Sequence, residues 1–274
     1  MTKPAISLVL CDLDGTLLNG ESKLSKRNRE ALAAVANTGV KVGIASGRDA
    51  YSIYEMVKSW EATDFISVIV AQNGAEFFDV ETQAIRTSHL VEPDAFRRVM
   101  SHFSDLPVNF LIAEKGTYLA PFEDESLKRM AEWGQFKLGV DPNYDRLLTN
   151  PQAKLHLMCD PALMPGVIEH ARTFSDPRLK GVRTGPQLFE YQDPALSKWN
   201  GVELAAEYFG IDPINNVMAF GDAENDLEMI RHVGVGVAME NACEDVKAVA
   251  GYHTSSNLDD GVAAFLAKWF ELDI

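Results

Sequence analysis

Two acidic clusters stand near opposite ends of the chain. CDLDGTLL, residues 11–18, sets Asp12 and Asp14 on either side of a leucine, directly after the apolar run AISLVL. GDAEND, residues 221–226, sets Asp222 and Asp226 after the run NNVMAF. Gathered in one place, four carboxylates repel and raise one another's pKa. A divalent cation relieves that repulsion. With oxygen ligands and no neighbouring His or Cys set, the ion such a group favours is hard, Mg²⁺ rather than Zn²⁺, and Mg²⁺ keeps waters and partners substrate phosphate. A carboxylate can attack phosphorus and form an aspartyl-phosphate. A second acid two residues along can protonate the leaving alkoxide and later activate water. Lys198, in LSKWNG, can supply further positive charge to a transferring phosphoryl group. Each piece alone has a plainer reading. DLDGT is also a glycine turn, a lysine near a helix start is usually solvated, and Asp222 and Asp226, four apart, would share a helix face or complement its dipole.

Chemistry of this kind needs elements that bring distant residues together. Five short apolar runs, 5–10, 39–45, 65–71, 215–220 and 234–239, are near-continuous rather than alternating, as in strands buried on both faces of a parallel sheet. Between them Ser25 reads as the N-cap of a helix through Asn37 with Gly39 as its stop, a second helical pattern follows Asp49, and a third ends at Gly210. The alternation predicts a doubly wound, Rossmann-like α/β sheet. Its strand ends read Asp12-Leu13-Asp14-Gly15-Thr16, Ser46-Gly47-Arg48, Asn73-Gly74-Ala75 and Gly221-Asp222. In open α/β sheets the ligand crevice lies outside the carboxyl ends of the strands. The middle, with stretches such as VNFLIA, KLHLM and QLFEY among helical ones, reads as an inserted α+β unit over 84–191, leaving 1–83 and 192–274 as the core. Trp133 and Phe136 are expected in the inserted unit's own core.

Composition narrows the partners. A net charge of −15 over 274 residues repels nucleic acid and anionic membranes. Three cysteines without a CxxC argue against a disulfide framework, and the short apolar N-terminal stretch is no signal core, so a cytoplasmic protein is expected. Cys11, beside Asp12 but pointing the other way in a strand, is a small buried hydrophobe. No C-x₅-R, HExxH or GK[ST] pattern occurs, and GVGVAM lacks the third glycine of a dinucleotide fingerprint.

Taken in order, these residues resemble the haloacid dehalogenase superfamily. DLDGT (12–16) is similar to its first motif, Ser46 to its second, Lys198 to its third and GDAEND to its fourth. Gly47-Arg48, Asn73-Gly74, AMENA (238–242) and DGVA (260–263) resemble its Cof-type branch, subfamily IIB. The resemblance implies that Asp12 is nucleophile and Mg²⁺ ligand, and that Asp14 is acid/base and offers its backbone carbonyl to the metal. It implies that Ser46, Gly47 and Lys198 hold the phosphoryl group and that Asp222 ligates Mg²⁺. Asn225 would contact the phosphate or Lys198, and Asp226 would support the metal shell through water. Ser46 stands where many relatives have Thr, which keeps the hydroxyl. Arg48 either touches substrate or bridges core and inserted unit, and Asn73 is a turn residue that braces the site. The implied activity is phosphatase action on small phosphorylated metabolites, sugar phosphates first, by a monomer or homodimer, with the inserted unit as a cap that closes over the core and selects substrate. A phosphomutase, a phospho-acceptor resembling a receiver domain and a non-catalytic metabolite binder are the alternatives.

Overall fold

The computed structural model describes residues 4–133 and 137–274, without the side chains of 131–133. The chain forms two compact units, one of residues 1–88 and 197–274, the other of residues 89–196. The sequence places the junctions at 83/84 and 191/192. Each lies five residues later in these units, the first because the strand Ile85–Thr87 pairs within the larger unit's sheet.

The first segment of the larger unit carries β1 (Leu8–Cys11), α1 (Lys26–Asn37), β2 (Lys41–Ala45), α2 (Ala50–Ser59), β3 (Ile66–Ala71), β4 (Glu76–Asp79) and β5 (Ile85–Thr87). Ser25 caps α1 by accepting from the Asn28 N–H, and Asp49 caps α2 by accepting from the Ser52 N–H. Gly39, at φ +90°, takes the chain out of α1 in the left-handed region open to glycine.

The inserted unit, residues 89–196, carries α3 (Pro93–His102), β6 (Asn109–Glu114), β7 (Thr117–Ala120), α4 (Glu125–Trp133), β8 (Leu138–Val140), β9 (Lys154–Met158), α5 (Met164–Ala171), β10 (Lys180–Arg183) and β11 (Leu188–Gln192). Its strands form a mixed sheet in the order β10-β11-β9-β6-β7-β8. On one face Leu155, Leu157, Phe189 and Tyr191 pack with Phe96, Val99 and Phe103 of the α3 region. Phe136 and the Trp133 side chain lie outside the described residues.

The chain then returns with α6 (Lys198–Phe209), α7 (Pro213–Asn216), β12 (Val217–Gly221), α8 (Leu227–His232), β13 (Val235–Ala238), α9 (Glu244–Val249), β14 (Tyr252–His253) and α10 (Gly261–Phe270). The larger unit's sheet runs β14-β13-β12-β1-β2-β3-β4-β5. It is parallel from β14 to β3, and β4 and β5 add an antiparallel edge. Every residue of β1 is wholly buried, so both faces of the sheet are covered, as the unbroken apolar runs predict. No helix among the described residues is long and apolar enough to cross a membrane.

Candidate active site

Strand register assembles the site. Cys11 pairs with Phe220 on one side and Ile44 on the other, so Asp12 leaves β1 beside Gly221-Asp222 and beside Ala45-Ser46. Ala45 in turn pairs with Val70. Four polar strand ends therefore line one edge of the sheet, as expected of the carboxyl ends of an open α/β fold.

After Asp12 the backbone makes a wide turn in which the Leu17 N–H donates to the Asp12 carbonyl (3.1 Å) and the Leu18 N–H to the Leu13 carbonyl (2.9 Å). Gly15 sits in that turn at φ +87°, and a Cβ there would lie 2.4 Å from Asp222 Oδ2. Only glycine lets the β1 turn press this closely on the second acidic segment. Thr16 Oγ1 donates to Asp222 Oδ1 at 2.7 Å, and Asn241 Nδ2 donates to the Gly15 carbonyl at 2.7 Å. The sequence alone gives neither residue a role. The glycine-threonine pair of the first motif was the only signal for Thr16.

Lys198, at the first turn of α6, is wholly buried. Its Nζ donates to Asp12 Oδ1 at 2.5 Å and to Asp226 Oδ1 at 2.6 Å. Burial works against the charge on its ammonium, but Asp12 and Asp226 outweigh burial and raise its pKa. Asp226 Oδ2 accepts from the Asp222 and Ala223 N–H groups, each at 3.0 Å. A spacing of four allows Asp222 and Asp226 a shared helix face or places as N-cap and first-turn acids. Asp222 follows β12 in the connecting loop, and Asp226, at the start of α8, reaches back to cap that loop while gripping Lys198. Lys198 Nζ is held by Asp226, and Asn225, expected on the phosphate or on Lys198, is exposed.

Asp12, Asp222 and Asp226 each offer a carboxylate oxygen within 4.8 Å of the others. Burial, then Asp226, push Asp12 well above the carboxylate range despite Lys198. Burial raises Asp222 to about 6, against the lowering effect of the Thr16 hydrogen bond. One ammonium does not offset three clustered carboxylates, so the donor set fits a hard divalent cation. Asp12 and Asp222 would be its ligands, and Asp226 would support its shell through water.

Ser46 is buried, and its Oγ accepts from the Arg48 N–H at 3.3 Å. The Asn73 N–H donates to the Ser46 carbonyl (3.0 Å) and the Gln72 N–H to the Arg48 carbonyl (2.8 Å). Gln72, Asn73 and Gly74 all have positive φ, +51°, +57° and +99°. This contorted turn braces the loop 46–48, with half-buried Gly47 between its anchors. Arg48 Nη2 reaches Asp14, 3.1 Å from Oδ2 and 3.3 Å from Oδ1. Asp14 is exposed at the mouth of the turn.

The family profile described as haloacid dehalogenase-like hydrolase matches residues 9–266. The 5-amino-6-(5-phospho-D-ribitylamino)uracil phosphatase YbjI of Escherichia coli K12 is 30% identical over 270 residues, 96% of each chain. An Arabidopsis thaliana protein named chloroplastic endoribonuclease YBEY is 27% identical over 97% of this chain, which spans 47% of that protein. A crystal structure of a haloacid dehalogenase-like hydrolase from Bacteroides thetaiotaomicron superposes with a TM-score of 0.86 at 26% identity, covering 97% of this chain and all of that one. The chain belongs to the haloacid dehalogenase-like hydrolase family. Within it, the chain is an enzyme of the phosphatase kind.

Proposed function

We propose that the chain hydrolyses phosphate monoesters of small metabolites through an aspartyl-phosphate on Asp12, with Mg²⁺ as its metal. Sugar and sugar-alcohol phosphates are the substrate class, in keeping with a relative named for a phosphoribityl compound. The observation that carries the reading is the Asp12–Lys198–Asp226 chain of contacts, which holds one oxygen of Asp12 in place beside Asp222. Lys198 fixes Asp12 Oδ1, which leaves Oδ2 to attack phosphorus as the ester P–O bond breaks. Asp14 gives its proton to the departing alkoxide. It then takes a proton from the water that attacks the phosphoryl-aspartate, and inorganic phosphate leaves with Asp12 restored. Ser46, Gly47 and Lys198 hold phosphoryl oxygens in both steps. Asp12, Asp222 and the Asp14 carbonyl would hold the metal, which would supply charge neutralisation at the transferring group. The inserted unit acts as the substrate-selecting cap.

The test is phosphate release from p-nitrophenyl phosphate with Mg²⁺, followed by a panel of sugar and sugar-alcohol phosphates. Asp12→Asn is expected to lower turnover by at least about 10³-fold, because it removes the nucleophile while keeping the side chain's shape. A wild-type sample that turns over no ester with the metal present overturns the proposal. So does an Asp12→Asn variant that keeps its rate.

A further inference from the structure

We propose that Arg48 is the residue that aims Asp14, a positioning role rather than a phosphate-binding one. The inference rests on the phosphatase reading above, in which Asp14 moves the proton. Asp14 is poorly held by its own surroundings. It sits in the wide turn after β1, with non-helical backbone (φ −80°, ψ 115°) and a side chain 57% exposed. A proton donor must be held within hydrogen-bond reach of the leaving oxygen to act, and an exposed carboxyl on an open turn needs a partner to hold it there. Arg48 supplies the missing constraint. A single nitrogen, Nη2, straddles both carboxylate oxygens at 3.1 and 3.3 Å.

Arg48 is itself firmly built in. Its side chain is only 14% exposed, and its Nη1 lies 4.0 Å from Met56 Sδ on α2. Its N–H is tied to Ser46 Oγ, and its carbonyl accepts from Gln72 in the positive-φ turn 72–74. The rigid partner in this ion pair is the arginine, and the partner it orients is the acid. A pair with one partner at the surface adds little to stability. What it contributes is orientation. The same loop that presents the Ser46 hydroxyl to the phosphoryl group thus also sets the direction of the proton donor.

The prediction is a leaving-group signature. A good leaving group such as p-nitrophenolate departs with little protonation, whereas phenolate or an alkoxide needs the proton. Arg48→Ala is expected to lower kcat on phenyl phosphate and on glycerol 1-phosphate by about tenfold or more. On p-nitrophenyl phosphate the loss should stay under about threefold. In an Asp14→Asn background Arg48→Ala should add less than about twofold, since the residue it aims is gone. Arg48→Lys should restore much of the rate, because one nitrogen makes the contact.

The experiment measures kcat and KM for the wild type, the three single variants and the double variant across substituted phenyl phosphates and glycerol 1-phosphate, with Mg²⁺. Circular dichroism checks that each is folded, and Arg48→Lys carries the test if Arg48→Ala is not. For Arg48→Lys, a leaving-group dependence shallower than that of Arg48→Ala or, in its absence, intermediate between wild type and Asp14→Asn supports the proposal. A uniform rise in KM that persists in full in the Asp14→Asn background overturns it and makes Arg48 a direct phosphate ligand. Absence of all turnover by the wild type instead sinks the phosphatase reading, and this inference with it.

Discussion

At the scale of single residues the site turns on Lys198. A lysine at a helix start gives no sign in the sequence that it is buried. Its ammonium is held by Asp12, 186 positions away in the chain, and Asp226, 28 positions away. Without the ammonium, two buried carboxylates face each other uncompensated. Lys198→Met should therefore cost about 3–5 kcal/mol of stability in metal-free buffer, the usual range for breaking a buried pair. Asp12→Asn should cost less, because the Lys198–Asp226 contact survives. Urea unfolding of both variants checks the order, and a loss under about 1 kcal/mol for Lys198→Met would mean that water compensates the pair. The acids were legible in the sequence because two aspartates after an apolar run are unusual and recur. The hold of Asp226 on Lys198 was not. Asp226 looks like any first-turn acid, and only the folded loop shows that it holds Lys198 and the backbone of Asp222 together.

At the scale of elements, the buried parallel strands were readable because strands covered on both faces carry unbroken apolar runs. The caps at Ser25 and Asp49 and the stop at Gly39 were readable from local chemistry. The antiparallel edge was not, since Ile85, Arg86 and Thr87 are exposed and carry no periodic signal. Nor was the tightness of the turn 72–74 against α6. A Cβ on Gly74 would lie 2.1 Å from the Ser197 carbonyl oxygen, and one on Gly201 would lie 2.9 Å from Gly74 Cα. The turn and the helix that carries Lys198 meet backbone to backbone. Gly74→Ala should force them apart and cost roughly 2–4 kcal/mol, combining left-handed strain with the clash. Activity should fall further than stability explains, because Lys198 moves with α6. Gly39→Ala is the control. Its φ is +90°, close to that of Gly74, but nothing lies within 4 Å of the added methyl. It should cost only about 1–2 kcal/mol, the strain alone, and leave turnover unchanged. Equal losses for the two, by thermal melting and steady-state rates, would mean that the contact at α6 yields.

At the scale of the whole molecule, the chain forms two compact units, each with its own sheet. The larger is built on the eight-stranded sheet, the inserted one on its six-stranded sheet, and among the described residues their buried apolar clusters share no residue. Unfolding should accordingly show two transitions rather than one. Asp176 offers a way to mark which is which. In the inserted unit it accepts from Arg178 Nη2 at 2.8 Å and from Arg98 Nη1, on α3, at 2.6 Å. The Arg178 hydrogen bond, against the opposing effect of burial, holds its pKa at about 2. The folded value lies below the unfolded value of about 3.9. The stabilisation is therefore complete above the unfolded value and is lost as the pH falls toward 2. Asp176→Asn should lower the inserted unit's transition by on the order of 1–2 kcal/mol at pH 7, by roughly half as much at pH 3, and hardly at all near pH 2. The transition of the sheet that carries Asp12 should not move. Differential scanning calorimetry of wild type and variant across this pH range reads both quantities. A single transition that shifts as one would show that the two cores melt together, and that whatever the inserted unit binds is felt directly in the stability of the catalytic sheet.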